Sequence, residues 1–266
     1  MKEITKILRL CTKLPTIPST LLEDVCDRYI LAIGHLPLDT VINTMARVTS
    51  AKHKNIPFMR AVSNVCVRHY GELTPAHKVT MIVAFDRFEH FPNGSLLHDL
   101  ANDVQNHTEL FTCDQLCSVA QSLATLRLHQ PKLYAAVDAV VARRRSPTLS
   151  LNALCELVWA LVTVSATPSP ELWQHTAQRV LGTQPFSANL LFTRSICRLA
   201  MATAVLQRYD PELMPVLLTA AQACLDRNQF SNYELGQLKY VRMYPCAVCW
   251  VLAVCIPENL FYNNSL

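Results

Sequence analysis

Six polar residues, Asn43, Thr80, Ser118, Glu156, Thr193 and Gln237, recur along this chain at intervals of 37, 38, 38, 37 and 44 residues. Each lies seven residues after the start of a cassette, at Leu36, Leu73, Phe111, Leu149, Phe186 and Phe230. Four residues earlier, hence on the same face of a helix, stand Asp39, Ala76, Asp114, Asn152, Asn189 and Tyr233. The chemistry such a ladder offers is hydrogen bonding from one side chain per structural unit, the way modular repeats read single-stranded bases. A solvated helix face would carry the same residues without any ligand.

Phosphate contact needs Lys and Arg, and these cluster locally. Arg143, Arg144 and Arg145 form one cluster, Lys52, His53 and Lys54 a second, and Arg127, His129 and Lys132 a third. A triple arginine closing a helix also complements the helix dipole. With 24 Lys and Arg against 20 Asp and Glu, a net charge of +4, the chain is only mildly basic, so phosphate contact is expected at an edge rather than over the whole surface.

Other chemistries find less support. The sequence holds no phosphate-cradling glycine loop, no nucleophile elbow, no HExxH and no cluster of metal-binding carboxylates, and five glycines leave little room for such loops. Asp24 with Asp27, and Asp99 with Asp103, sit at helical spacing and read as solvated-face residues. Cys246 and Cys249 form a lone CxxC with Cys255 beyond it, whereas a zinc site usually needs a second ligand pair. Cys66, Cys117, Cys155, Cys197 and Cys224 lie inside apolar runs and read as buried thiols in a reducing compartment. No catalytic residue, metal, cofactor or small-molecule substrate is therefore expected.

The elements that must position the ladder follow from the cassette. Thr74, Thr112, Ser150, Ser187 and Ser231 each follow an apolar residue and are placed to cap a helix, while Leu36 is followed by Pro37. Phe111 with Leu116, Leu149 with Leu154, Phe186 with Leu191 and Phe230 with Leu235 have the spacing of a hydrophobic staple. Apolar residues then continue at helical spacing, as in Leu116, Val119 and Leu123, to give helix A. A second run, helix B, opens near Pro57, Pro92, Pro131, Pro170 and Pro211, where proline suits a first turn. Pro18 opens the B helix of a partial first repeat whose A helix spans Ile4 to Lys13.

Gly34, Gly71 and Gly182 are expected at C-caps, and the 44-residue interval predicts a longer fifth hairpin with Pro215 kinking its B helix. No stretch alternates as a strand would. The predicted fold is all-α, a right-handed α-solenoid of about six helical hairpins of 37–38 residues forming one domain over 1–266, with a partial repeat at 1–35 and an atypical cap at 245–266.

At 51% hydrophobic and 17% charged residues the chain is oily, since about 25% charged is usual. A membrane is not the expected cover, because the apolar run from Cys246 to Ile256 is about half of the roughly 20 residues a spanning helix needs. Partner subunits of a large assembly are expected instead. The basic, amphipathic start MKEITKILRLCTK reads either as the first A helix or as a mitochondrial presequence.

Leu149 to Leu181, LSLNALCELVWALVTVSATPSPELWQHTAQRVL, and Phe111 to Val141 carry a family resemblance. Leu157, Trp159, Ala160, Leu161, Pro170 and Leu172 match a leucine-rich A helix with a Trp-Ala-Leu core followed by Pro-x-Leu opening helix B. This resembles the organellar octotricopeptide, heptatricopeptide and FAST-kinase-like repeats. The resemblance implies action on RNA processing, stability or translation, or service as a subunit of a mitochondrial ribosome or RNA-editing complex in the mitochondrial matrix. No RAP-type nuclease-like segment is recognisable, so cleavage is not expected. The alternative is a protein-only scaffold of the armadillo or HEAT kind.

Overall fold

The structure, a computed structural model, describes residues 19–89, 94–182, 193–208 and 210–226. The expectations placed on Ile4 to Lys13, Pro18, Pro92, Ser187, Asn189, Ser231, Tyr233, Gln237, the Cys246 group and the cap at 245–266 lie outside the described residues. The described residues form eleven α-helices and no strand. They are α1 Ser19–Ala32, α2 Leu38–Ser50, α3 Ile56–Arg68, α4 Pro75–Phe88, α5 Gly94–Asn106, α6 Cys113–Thr125, α7 Pro131–Arg144, α8 Leu151–Thr163, α9 Pro170–Leu181, α10 Thr193–Leu206 and α11 Leu213–Asp226. Three short 3-10 turns, Ile33–His35, Tyr70–Glu72 and Thr108–Leu110, precede α2, α4 and α6.

The helix starts are written in hydroxyls. Thr74 and Thr112 accept hydrogen bonds from the amides of His77 and Gln115, whose side chains accept in return from the cap amides, and Ser150 accepts from Ala153. Such caps satisfy first-turn amides that have no partner in the helix and contribute about 1 kcal/mol each. Pro37 caps α2 without a side-chain bond. Ser169 caps α9 and is itself held by α7, because the buried Asp138 accepts from its amide at 2.7 Å and its hydroxyl at 2.6 Å.

The ends meet expectation in part, since Gly182 is the C-cap of α9. No described glycine has a positive φ: Gly34 and Gly71 sit in 3-10 turns, and Gly182 caps α9 in a right-handed conformation. The left-handed residues are Lys52, Glu89, Arg127, Ser165 and Gln207, at φ of 55°, 56°, 56°, 60° and 52°, with Arg145 after α7 at 40°. The first five stand just after α2, α4, α6, α8 and α10, the A helices of consecutive cassettes. Their amides bond the carbonyl three residues back, as in Lys52 to Thr49 and Arg127 to Ala124, both at 3.0 Å. After Lys52, Arg127, Ser165 and Gln207 the next amide reaches five back, as in Leu128 to Leu123 and Ala166 to Leu161, both at 2.9 Å. This Schellman pattern satisfies carbonyls the helix leaves open, against a left-handed cost of roughly 1–2 kcal/mol for a residue with a Cβ.

Two compact units divide the chain, Met1–Leu133 and Tyr134–Leu266. In the first, α2, α4 and α6 pack side by side, and α1 packs on α3. Neighbouring A helices run parallel: His77 at the head of α4 bonds Asp39 at the head of α2 at 2.5 Å, and Arg87 at its tail donates to Ser50 at the tail of α2 at 2.7 Å. The core buries Val41, Met45, Phe58, Ile82, Phe85 and Leu116, with the Tyr29 and Phe58 rings edge to face at 5.7 Å. Burying one such side chain contributes about 1.5–3 kcal/mol.

In the second unit α8 lies against α9 and α10, and α9 and α10 against α11. Leu154, Leu157, Leu161, Leu172, Val180 and Leu217 are buried there. Asn152 bonds Ser195, and Glu156 pairs with Arg198, so α8 and α10 are also parallel. This register moves an expectation, because Glu156 matches Arg198 and not Thr193, which is the first residue of α10. The longer fifth hairpin expected from the 44-residue interval takes in residues 183–192 and 227–229, which lie outside the described residues. Pro215 is the third residue of α11, where it needs no kink.

Candidate nucleic-acid interface

The A-helix face of the first unit carries the described part of the ladder. Asn43, Thr80 and Ser118 are each the sixth residue of their helix. Asn43 is exposed, and Thr80 and Ser118 are half-buried. Thr80 Oγ1 donates to the Ala76 carbonyl at 2.8 Å, and Ser118 Oγ to that of Asp114 at 2.9 Å, so both spend their donor on their own helix and present lone pairs. Between them lies a groove of about 220 Å³ floored by Ala46, Val79, Val83 and Ala84, with Arg87 at its rim.

In the second unit the ladder turns inward. Glu156 is 5% exposed and ion-paired with Arg198, itself 7% exposed. Charges this deep persist only when matched, because desolvation costs several kcal/mol per ion. The rung that sequence spacing aligned with the polar face is thus an internal contact of α8 with α10. The Thr193 side chain and the whole of Gln237 lie outside the described residues.

The basic clusters fall at helix ends. Lys52 and Lys54 are exposed in the turn after α2, and Lys54 Nζ meets Glu89 Oε2, in the turn after α4, at 2.5 Å. Arg127 is exposed after α6, and Lys132 is exposed in the first turn of α7. Arg143 and Arg145 are exposed, Arg144 is half-buried, and Arg143 and Arg145 share a groove of about 480 Å³ with Ser169 and Glu171. Arg179 braces the loop below by donating to the Leu149 carbonyl at 2.9 Å and, at 3.5 Å, to that of Ser146. Glu171 offsets part of the arginine field, so this groove is a weaker anion site than three arginines in sequence suggest.

Two features went unread in the sequence. Arg87 enters the A-face groove because α4 brings it beside Ser50, which only the register between helices reveals. Arg208 stands 5.6 Å over the Trp173 ring beside Pro170 and Pro211, a cation–π contact across the turn into α11. The Trp of Pro-Glu-Leu-Trp was its visible half.

The acid pairs resolve differently from one another. Asp24, Asp27 and Asp99 are exposed, as expected. Asp103 is half-buried and accepts from Lys78 Nζ at 2.6 Å and Tyr70 OH at 2.7 Å. Burial alone would raise its carboxyl, but these bonds and the Lys78 charge hold it below the usual range. Cys26, Cys66, Cys113, Cys117, Cys155 and Cys197 are free and buried, and burial pushes the thiols of Cys66 and Cys155 up to about 12. Among the described residues no three His, Cys, Asp or Glu side chains group as metal ligands, and no helix is long and apolar enough to cross a membrane.

No family model matches the chain, and no curated protein matches it significantly.

Proposed function

We propose that this chain is a non-enzymatic α-solenoid subunit of a mitochondrial RNA–protein assembly, a mitochondrial ribosome or an RNA-processing or editing complex, that binds RNA and partner proteins. The observation that carries the reading is the first unit's layer of parallel A helices, with Asn43, Thr80 and Ser118 at one helix position and Lys52, Lys54 and Arg127 at the turns that follow. The likeness of its cassettes to organellar RNA-associated repeats points the same way. One observation favours the second reading, a protein-only armadillo-like or HEAT-like scaffold: the groove between α2 and α4 has an apolar floor that suits a peptide side chain.

Ultraviolet crosslinking of the protein in its native source, with sequencing of attached RNA and mass spectrometry of attached protein, tests the choice. Organellar RNA joined to peptides carrying Asn43, Lys52 or Arg127 supports the RNA reading. Protein crosslinks alone leave the scaffold.

A further inference from the structure

We propose that the edge formed by the A-to-B turns of the first unit, with Lys52 and Arg127 as its principal cations, grips the phosphate backbone of single-stranded RNA and leaves the bases to be met elsewhere. The inference rests on the RNA reading above and says where and how the strand is held.

Backbone geometry supplies the first argument. Lys52 and Arg127 occupy the left-handed position of a Schellman turn after α2 and α6, and Glu89 stands left-handed after α4, where glycine is the residue the backbone favours. Main-chain bonds fix where the side chain leaves this position, and Lys52 and Arg127 extend from it into solvent. Charge supplies the second. Lys52 and Arg127 are exposed, and no ion pair joins either to an acid among the described residues. Glu89, the acid of the series, is matched by Lys54 at 2.5 Å, so it does not oppose an incoming anion.

Placement supplies the third argument. The tail-to-tail bond of Arg87 with Ser50 and the turn-to-turn pair of Lys54 with Glu89 set these turns side by side, with α6 packed next on α4. Among the described residues of the edge no exposed Phe, Tyr or Trp stands beside these cations: Phe88 is buried, and residues 46–54 and 125–132 contain none. Cations without stacking aromatics bind a strand by its phosphates and are indifferent to sequence.

The test measures binding of a fluorescein-labelled oligouridylate to the full chain across a salt series. K52G/R127G is expected to weaken binding about tenfold and to reduce the salt slope by roughly 1.4, about 0.7 for each phosphate that the variant leaves unneutralised. Its melting temperature should hold or rise, because glycine suits both positions. K52M/R127M, which removes charge but keeps the Cβ, should lose binding equally, while K52R/R127K should retain it. S165G, the same backbone change after α8, should leave binding untouched.

RNA bound with unchanged affinity and slope by K52G/R127G would overturn this inference and leave the RNA function standing. A wild-type chain that binds no oligouridylate would sink both. Polyglutamate displacing the RNA at equal charge concentration would make the edge a dock for acidic protein and overturn the assignment to RNA.

Discussion

His175 lies within the second unit, on α9, with Nδ1 buried and without a hydrogen-bond partner among the described residues. Burial first, then the charges of Arg179 and Arg145, hold its imidazole below the ordinary range. The folded state therefore keeps the ring neutral where an unfolded chain, titrating near 6.5, accepts a proton. Stability that is full above about pH 6.5 is lost as pH falls toward the depressed folded value. The drop in melting temperature between about pH 7.5 and about pH 5.5 should shrink in His175→Gln, measured by circular dichroism. Glu156 with Arg198 makes a sharper case. Truncating either to Ala should cost about 3–5 kcal/mol by leaving a buried charge, whereas E156M/R198M should recover much of it, as read by denaturant unfolding. No sequence signal marked this pair, because Glu156 fell on a polar rung and Arg198 on none. Only the register between α8 and α10 joins them.

Helices were legible at their starts and much less so at their ends. Thr74, Thr112 and Ser150 announce α4, α6 and α8 because a cap is a local event, one oxygen reaching an amide three residues on. Glycine marks the end of the B helix α9 at Gly182, but no residue type marks the ends of the A helices, which close with Lys52, Glu89, Arg127, Ser165 and Gln207 held left-handed by backbone bonds. The cap of α9 also has a part that local reading misses, the grip of Asp138 on Ser169 from another helix. Asp138→Ala should leave that cap unsupported and cost roughly 1–3 kcal/mol. Hydrogen exchange should quicken first in the opening turn of α9.

Over the whole molecule, composition and period foretold an all-helical chain whose apolar residues are spent between helices. The residues behind the family likeness explain its breadth: Leu157, Ala160, Leu161 and Leu172 are buried, so they record how such hairpins pack rather than what they bind. Side chains placed by a neighbouring helix leave no such local pattern, which is why Arg87 beside Ser50 and Arg208 over Trp173 stayed invisible until helices were neighbours. Peptide mapping with a thiol reagent at neutral pH should leave Cys66, Cys117 and Cys155 unlabelled in the native chain and modify all three once denatured, since burial raises each thiol.

The turn that closes each A helix has a consequence for how this chain can change over generations. Its shape is set by main-chain bonds, and Lys, Glu, Arg, Ser and Gln all tolerate it, so the side chain there is a socket of fixed form that takes interchangeable plugs. A lineage could recode what the edge attracts one substitution at a time while the scaffold beneath stays as it is.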